Sequence, residues 1–260
     1  MSSKYFVTTD VHSFFDIFHQ ALLDKGFEID NPEHKLIICG DLFDRGEQAL
    51  ELLNFVQGLG DRFIYVRGNH EDLMFDCYNE LLSNRAPGYH HMTNGTIDTI
   101  CQITGLRMYE VLTPSPERTR AFGNKMEPVL RWIANKAVNY FETDNYIFVH
   151  GWLPCYQGLD DFRDATNADW ERARWQNGME MWKNPACRIE GKTVIVGHWH
   201  CSYAWSHIEQ KYKEFPQKNH KDFQYSFRPW IKDGIIALDA CCAYSGKLNC
   251  IIIEDGIVYD

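Results

Sequence analysis

The sequence predicts an α/β fold that opens with a parallel β-α-β-α-β unit and closes with antiparallel strands. Short apolar runs rich in β-branched residues recur along the chain. Amphipathic stretches separate the first three runs, and no helical pattern separates the last three. The runs are Tyr5–Thr9, Leu36–Cys39, Phe63–Val66, Tyr146–Val149, Thr193–Val196, Ile235–Leu238, Leu248–Ile253 and Gly256–Tyr259. Ser13 is placed to cap a first helix with Phe15, Phe18 and Leu22 on one face, stopped by Gly26. Gln48 to Leu59 repeats the pattern with Leu52, Phe55, Val56 and Leu59. Strand–helix–strand alternation implies parallel pairing with right-handed crossovers. Glu254-Asp255-Gly256 reads as a hairpin turn.

Residues 84–140 fit the sheet less well. With Pro87, Gly88, Pro114 and Pro116 they predict an irregular insertion followed by a helix at Met126–Tyr140. The aromatic stretch 205–230, carrying Lys211, Lys213, Lys218, Lys221 and Arg228, reads as a surface loop. No linker divides the chain, so residues 1–260 are expected to form a single domain with one insertion.

Composition limits the partners. A net charge of −10 disfavours a generic grip on extended nucleic acid or an anionic membrane. No run of 18 apolar residues and no secretory leader pattern is present. Nine cysteines, none in a C-x-x-C pair and several inside apolar runs, read as reduced, mostly buried small hydrophobes of a cytoplasmic protein.

The chemistry follows the strands. The first ends in Asp10-Val11-His12, the second in Gly40-Asp41-Leu42-Phe43-Asp44-Arg45-Gly46, the third in Arg67-Gly68-Asn69-His70-Glu71. Later strands end in His150-Gly151 and in Gly197-His198-Trp199-His200. In an open α/β sheet the carboxyl ends converge on one crevice. Oxygen and imidazole donors without thiolate suit manganese, iron or zinc. There are more donors than one tetrahedral ion needs. They match two divalent ions sharing a bridging carboxylate, which clamp phosphoryl oxygens and acidify a bridging water.

Read together, D-x-H, G-D-x-x-D-R-G, G-N-H-E, V-H-G and G-H resemble the signature of the calcineurin-like metallophosphoesterases. Within them the chain resembles the bacterial and phage phosphoprotein phosphatases. Leu238-Asp239-Ala240 with Ser245-Gly246-Lys247-Leu248 resembles that group's closing L-D-x-x…G-G-x-L strand pair. The resemblance implies a mixed β-sandwich flanked by helices and two divalent ions, with manganese the first choice and iron or zinc alternatives. It implies that Asp10 and His12 bind the first ion, Asp41 bridges, and Asn69, His150 and His198 bind the second. His70 would be a general acid oriented by Asp44, and Arg45 and Arg67 would hold phosphoryl oxygens.

Several positions depart from the family pattern. Thr9 and Ser13 flank the first motif where glycines are usual, and Trp152 follows His150-Gly151. Trp152 either narrows the pocket or belongs to the core. His200, the second histidine of G-H-W-H, is an additional candidate ligand. The family's further phosphate-binding arginine is expected in Trp170-Glu171-Arg172-Ala173-Arg174, with Arg172 the better match. His90, His91 and His207 read as surface residues.

The leading expectation is a phosphatase of phosphomonoesters, phosphoserine and phosphothreonine in proteins above all. It would act through in-line attack by a metal-bridging hydroxide, without a phosphoenzyme. An alternative on the same site is symmetrical hydrolysis of diadenosine tetraphosphate, for which the tryptophans Trp152, Trp199, Trp205 and Trp230 are compatible with base stacking. A non-catalytic metal-binding interaction module is the third reading. The presence of Asp44, His70, Arg45 and Arg67 argues against it. The expected partner is therefore a phosphorylated protein or a small phosphorylated substrate, held in a locally positive pocket.

Overall fold

Alternation along each central strand divides the molecule into layers. In the computed structural model, which describes residues 4–113, 115–210 and 227–260, β1 (Lys4–Thr8), β2 (His34–Cys39) and β3 (Phe63–Val66) pair in parallel. Phe6, Leu36, Ile38 and Tyr65 face one way, into a core with the helices. Val7, Ile37, Cys39 and Val66 face the other, against the second sheet. Period-two alternation with both faces apolar is what a sheet covered on both sides requires.

The crossovers are α1 (Phe15–Asp24) and α2 (Ala49–Gly58), which bury Phe18, Leu22, Leu52, Leu53 and Val56 as their spacing predicts. Ser13 does not cap α1. Its Oγ makes no hydrogen bond, and the cap position falls on Phe14. Ser13 sits at φ +60°, where its backbone N–H is committed to Leu42.

The first sheet is completed by β4 (Ala137–Val138) beside β3, and by β10 (Ile251–Glu254) and β11 (Ile257–Tyr259) on the β1 edge. The last two form the expected hairpin, with Asp255 and Gly256 both at positive φ, as a two-residue type I′ turn demands. The second sheet contains β5 (Phe141–Glu142), β6 (Tyr146–Phe148), β7 (Thr193–Val196), β8 (Trp230–Lys232) and β9 (Ile235–Ala237), in the order β5-β6-β7-β9-β8. The inner faces of the two sheets share one core, and the outer face of the second, with Trp230 of β8, packs under Trp152 and Trp170. The result is a mixed β-sandwich flanked by helices.

The structure corrects three expectations. The run beginning at Ile235 is not part of the antiparallel ending. It pairs in parallel with β7, and the chain then crosses to the other sheet before β10. Residues 84–140 are not irregular. After α3 (Asn69–Leu82) they form α4 (Tyr89–Thr93), α5 (Thr96–Thr104), α6 (Met108–Leu112) and α7 (Pro116–Lys136). The long helix starts ten residues earlier than its apolar period suggests, because Ser115 caps it, accepting from the Arg118 N–H, and Pro116 occupies the first turn. Ile97, Ile100, Phe122, Met126 and Ile133 enter the same core as β1–β3. Finally, not all cysteines are reduced. Cys155 and Cys187 form a disulfide with Cα atoms 5.7 Å apart, brought together by loops that sequence distance hides.

Of the stretch 205–230, Trp205 to Ile208 lies in a helical turn and Trp230 in β8. Pro114 and residues 211–226, including Lys211, Lys213, Lys218 and Lys221, lie outside the described residues. Among the described residues no helix is long and apolar enough to cross a membrane.

Candidate metal centre and active site

The loops leaving β1, β2, β3, β6 and β7 meet at one end of the sandwich. They bring together Asp10, His12, Asp41, Asn69, His70, His150 and His198. Asp41 lies at the middle. Its Oδ2 is 3.7 Å from His12 Nε2 and 3.8 Å from His70 Nε2, and its Oδ1 is 3.3 Å from His150 Nε2. Asp10 Oδ1 is 3.9 Å from His12 Nε2, and Asn69 Oδ1 is 2.8 Å from His150 Nε2. His12, Asp41 and His70 form one group able to hold a cation, and Asp41, His150 and His198 form another.

The loops that carry these groups adopt unusual backbone. Asp10, His12, Asp41, Asp44, Arg45 and His198 all have positive φ. Such conformations cluster where function requires a side chain to be aimed. Close approach requires glycine at several positions here, Gly68 and Gly197 among them. A Cβ on Gly68 would strike Asp41, and one on Gly197 would strike Thr9 and Asp10.

The wiring of the imidazoles suits two cations. His12 Nδ1 donates to the Phe43 carbonyl and His150 Nδ1 to the Cys39 carbonyl, both at 2.9 Å. Each ring therefore turns its Nε2 toward Asp41, the nitrogen that a cation would take from the proton, as in sites where imidazole ligates a metal. Asp10 and Asp41 are buried carboxylates facing these imidazoles, and against the effect of burial His150 is raised to about 10 by Asp41, so a cation entering the cluster would take the place of that proton. The residues fit two divalent ions with Asp41 shared.

His70 is wired differently. Its Nδ1 lies 2.8 Å from Asp44 Oδ2, and its Nε2 lies 3.4 Å from Arg45 Nη2. Burial disfavours its charge, yet Asp41 and Asp44 raise its pKa above the ordinary value. Burial works against ionisation of Asp41 too, but His150 and His70 hold its carboxyl well below the usual range. His198 is pushed down to about 3 by burial and by His150.

Sequence reasoning assigned no role to several supporting residues. Glu71, fully buried, accepts from the backbone N–H groups of Asp41, Leu42 and Gly68 and so ties the second and third loops together. Thr96 of α5 donates to Asp44 Oδ2 at 2.8 Å, and Thr99 Oγ1 accepts from the Asp44 N–H. Gln102 accepts from Ala49 N and donates to Gly46 O. Thr96, Thr99 and Gln102 are spaced three apart on one helix face, and that spacing was the available signal.

Arg67 and Arg174 share Asp72: Arg67 Nε is 2.7 Å from Oδ1 and Arg174 Nη1 is 2.8 Å from Oδ2. Arg174 also donates to Asn139 Oδ1. Arg172, expected to be the phosphate ligand, points to solvent with 74% of its side chain exposed, paired with Asp169. Arg174 is 5% exposed and takes the inward place. The helix α8 (Asn167–Ala173) and its cap explain the exchange. Two residues along a helix is about 200° of rotation, so the two arginines face opposite ways.

His200 is in neither of the two groups that could hold a cation. It is 43% exposed and lies 3.8 Å from Asp239. Trp152 is core, its indole N–H bonded to the Cys187 carbonyl. His91, expected at the surface, is buried beside Glu80, whereas His207 is exposed.

A family model, that of the calcineurin-like phosphoesterases, matches residues 3–231. The chain belongs to that family. It is 23% identical over 278 residues to the symmetrical bis(5'-nucleosyl)-tetraphosphatase of Vibrio vulnificus, covering 98% of this chain and 96% of the relative. It is 24% identical over 268 residues to the enzyme of the same name from Proteus mirabilis, covering 95% and 93%. Among solved structures it resembles a candidate diadenosine tetraphosphatase, with TM-score 0.52, 13% identity and coverage of 99% and 92%. It also resembles a protein serine/threonine phosphatase from Saccharomyces cerevisiae, with TM-score 0.51, 16% identity and coverage of 98% and 73%. These structural likenesses establish the fold.

Proposed function

We propose that this chain is a metal-dependent phosphoesterase that cleaves dinucleoside tetraphosphates symmetrically. Asp10, His12 and Asp41 would hold one divalent ion, and Asp41, Asn69, His150 and His198 the other. Manganese is the first candidate, and iron or zinc would suit the same donors. When bound, the ions supply electrophilic stabilisation of the phosphoryl oxygens and a nucleophile at neutral pH.

The chain's own residues do the rest. His70, held by Asp44, donates a proton from Nε2 to the leaving phosphate oxygen. Arg45 lies against that same nitrogen and holds a non-bridging oxygen of the phosphoryl group undergoing transfer. Arg67 and Arg174, fixed by Asp72, hold neighbouring phosphate oxygens. Thr96 keeps Asp44 from rotating away from His70.

The observation that carries the choice of substrate is the end-to-end match to relatives named as symmetrical tetraphosphatases. The second reading, hydrolysis of phosphoserine or phosphothreonine, is favoured by the His70–Asp44 pair and arginine cluster, which would suit a lone phosphoryl group equally. Manganese-supplemented turnover of diadenosine tetraphosphate, with nucleotide products separated, tests the proposal. ADP as the only product supports it, and AMP with ATP contradicts the symmetry. No turnover, with release of phosphate from a phosphothreonine peptide, replaces it by the second reading.

A further inference from the structure

The tryptophans sort into two kinds. Trp152 and Trp230 are fully buried, and Trp170 stacks on Tyr140. Trp132 stacks on Phe63, while Arg188 covers Trp182 and Arg228 covers Trp205. Trp175 and Trp199 differ. They are 52% and 40% exposed, and among the described residues no ring or guanidinium is stacked face to face on either.

Both stand beside His198. Trp175 is 5.6 Å from it at 88°, and Trp199 is 6.5 Å from it at 75°. Tyr203 continues the line, 5.3 Å beyond Trp199. His198 belongs to the candidate metal group with Asp41 and His150. Trp175 and Trp199 therefore set two exposed indoles against a candidate ligand. Exposed tryptophan is costly in water, and the perpendicular contacts with His198 leave 52% of Trp175 and 40% of Trp199 open to it.

We propose that Trp175 and Trp199 form a nucleobase platform. The phosphate chain of a nucleotide would lie toward Arg45, Arg67 and Arg174, and its base would stack on an indole. Stacking is indifferent to base identity, because every base has a π-face, so the platform predicts tolerance among purine nucleotides. The proposal rests on the reading of the cleft as a phosphate site.

Titration calorimetry of the full chain with AMP and with ribose 5-phosphate tests it, since the second ligand carries the same phosphate and sugar without a base. AMP should bind about tenfold tighter. Trp175→Ala and Trp199→Ala should each reduce or abolish that advantage, and Trp199→Phe should restore part of it. Equal affinities of the two ligands in the unmodified protein would overturn the platform, as would an AMP advantage untouched in both alanine variants. A chain that shows the advantage but does not cleave diadenosine tetraphosphate keeps the platform and loses the proposed reaction. Cleavage with an unaltered KM in both variants does the reverse.

Discussion

The two sides of the site are built to different standards of rigidity. On the β1–β3 side, Asp10, His12, Asp41, Asn69 and His70 are all buried, and supporting hydrogen bonds fix the key groups. His12 is tied to Phe43, the Asp41 loop to Glu71, and His70 to Asp44 and Thr96. On the β6–β7 side, His150 is held as firmly, but His198 is only half-buried and lies between exposed indoles. The difference follows from what each side must do. Groups that move protons or hold ions lose efficiency when misplaced by fractions of an ångström. Groups that receive substrate must stay open to solvent.

Substitutions can break that comparison. The largest effect is expected from Asp41→Asn, because this carboxylate faces both candidate ion positions. Elemental analysis should find metal depleted at both, and turnover should vanish. His70→Asn should retain metal while lowering kcat by roughly 10²- to 10⁴-fold, the range for losing a positioned proton donor. Metal loss in that variant would reassign His70 as a ligand.

Asp72→Asn should lower kcat/KM by roughly 10- to 100-fold, as losing the group that orients others commonly does. Both arginines remain, so a drop there would identify their shared anchor rather than their charge. Thr96→Val removes one hydrogen bond to Asp44 and should cost up to about tenfold in kcat, with thermal stability little changed. Arg172→Ala should leave kcat/KM unaltered, measured beside Arg174→Ala, which should impair it. Equal effects of the two would contradict the inward assignment of Arg174.

Much of the site was legible in the sequence because its residues sit directly after strands. A short apolar run followed by Asp, Asn or His needs no tertiary information to be placed at a sheet's carboxyl end. The supporting shell was harder to see. Thr96 and Asp72 are ordinary helix residues until α5 and α3 are packed against the loops. The motif favours Arg172, yet Arg174 is the buried one of the two. His200 follows His198 by two residues, yet its Nε2 faces Asp239 at 3.8 Å rather than Asp41.

The helical segment 84–140 shows the same limit. Proline and polar residues obscured α4–α7, whose buried positions are defined by the sheet they cover. The sequence by itself determined the parallel opening unit, the closing hairpin and the donor types gathered at one crevice, because these follow from local period, turn chemistry and chain order. Only the tertiary structure decided which arginine is buried, which residues of α3 and α5 hold the arginines and Asp44, and which tryptophans remain open. Those properties depend on rotation about a helix and on contacts between residues far apart in the chain.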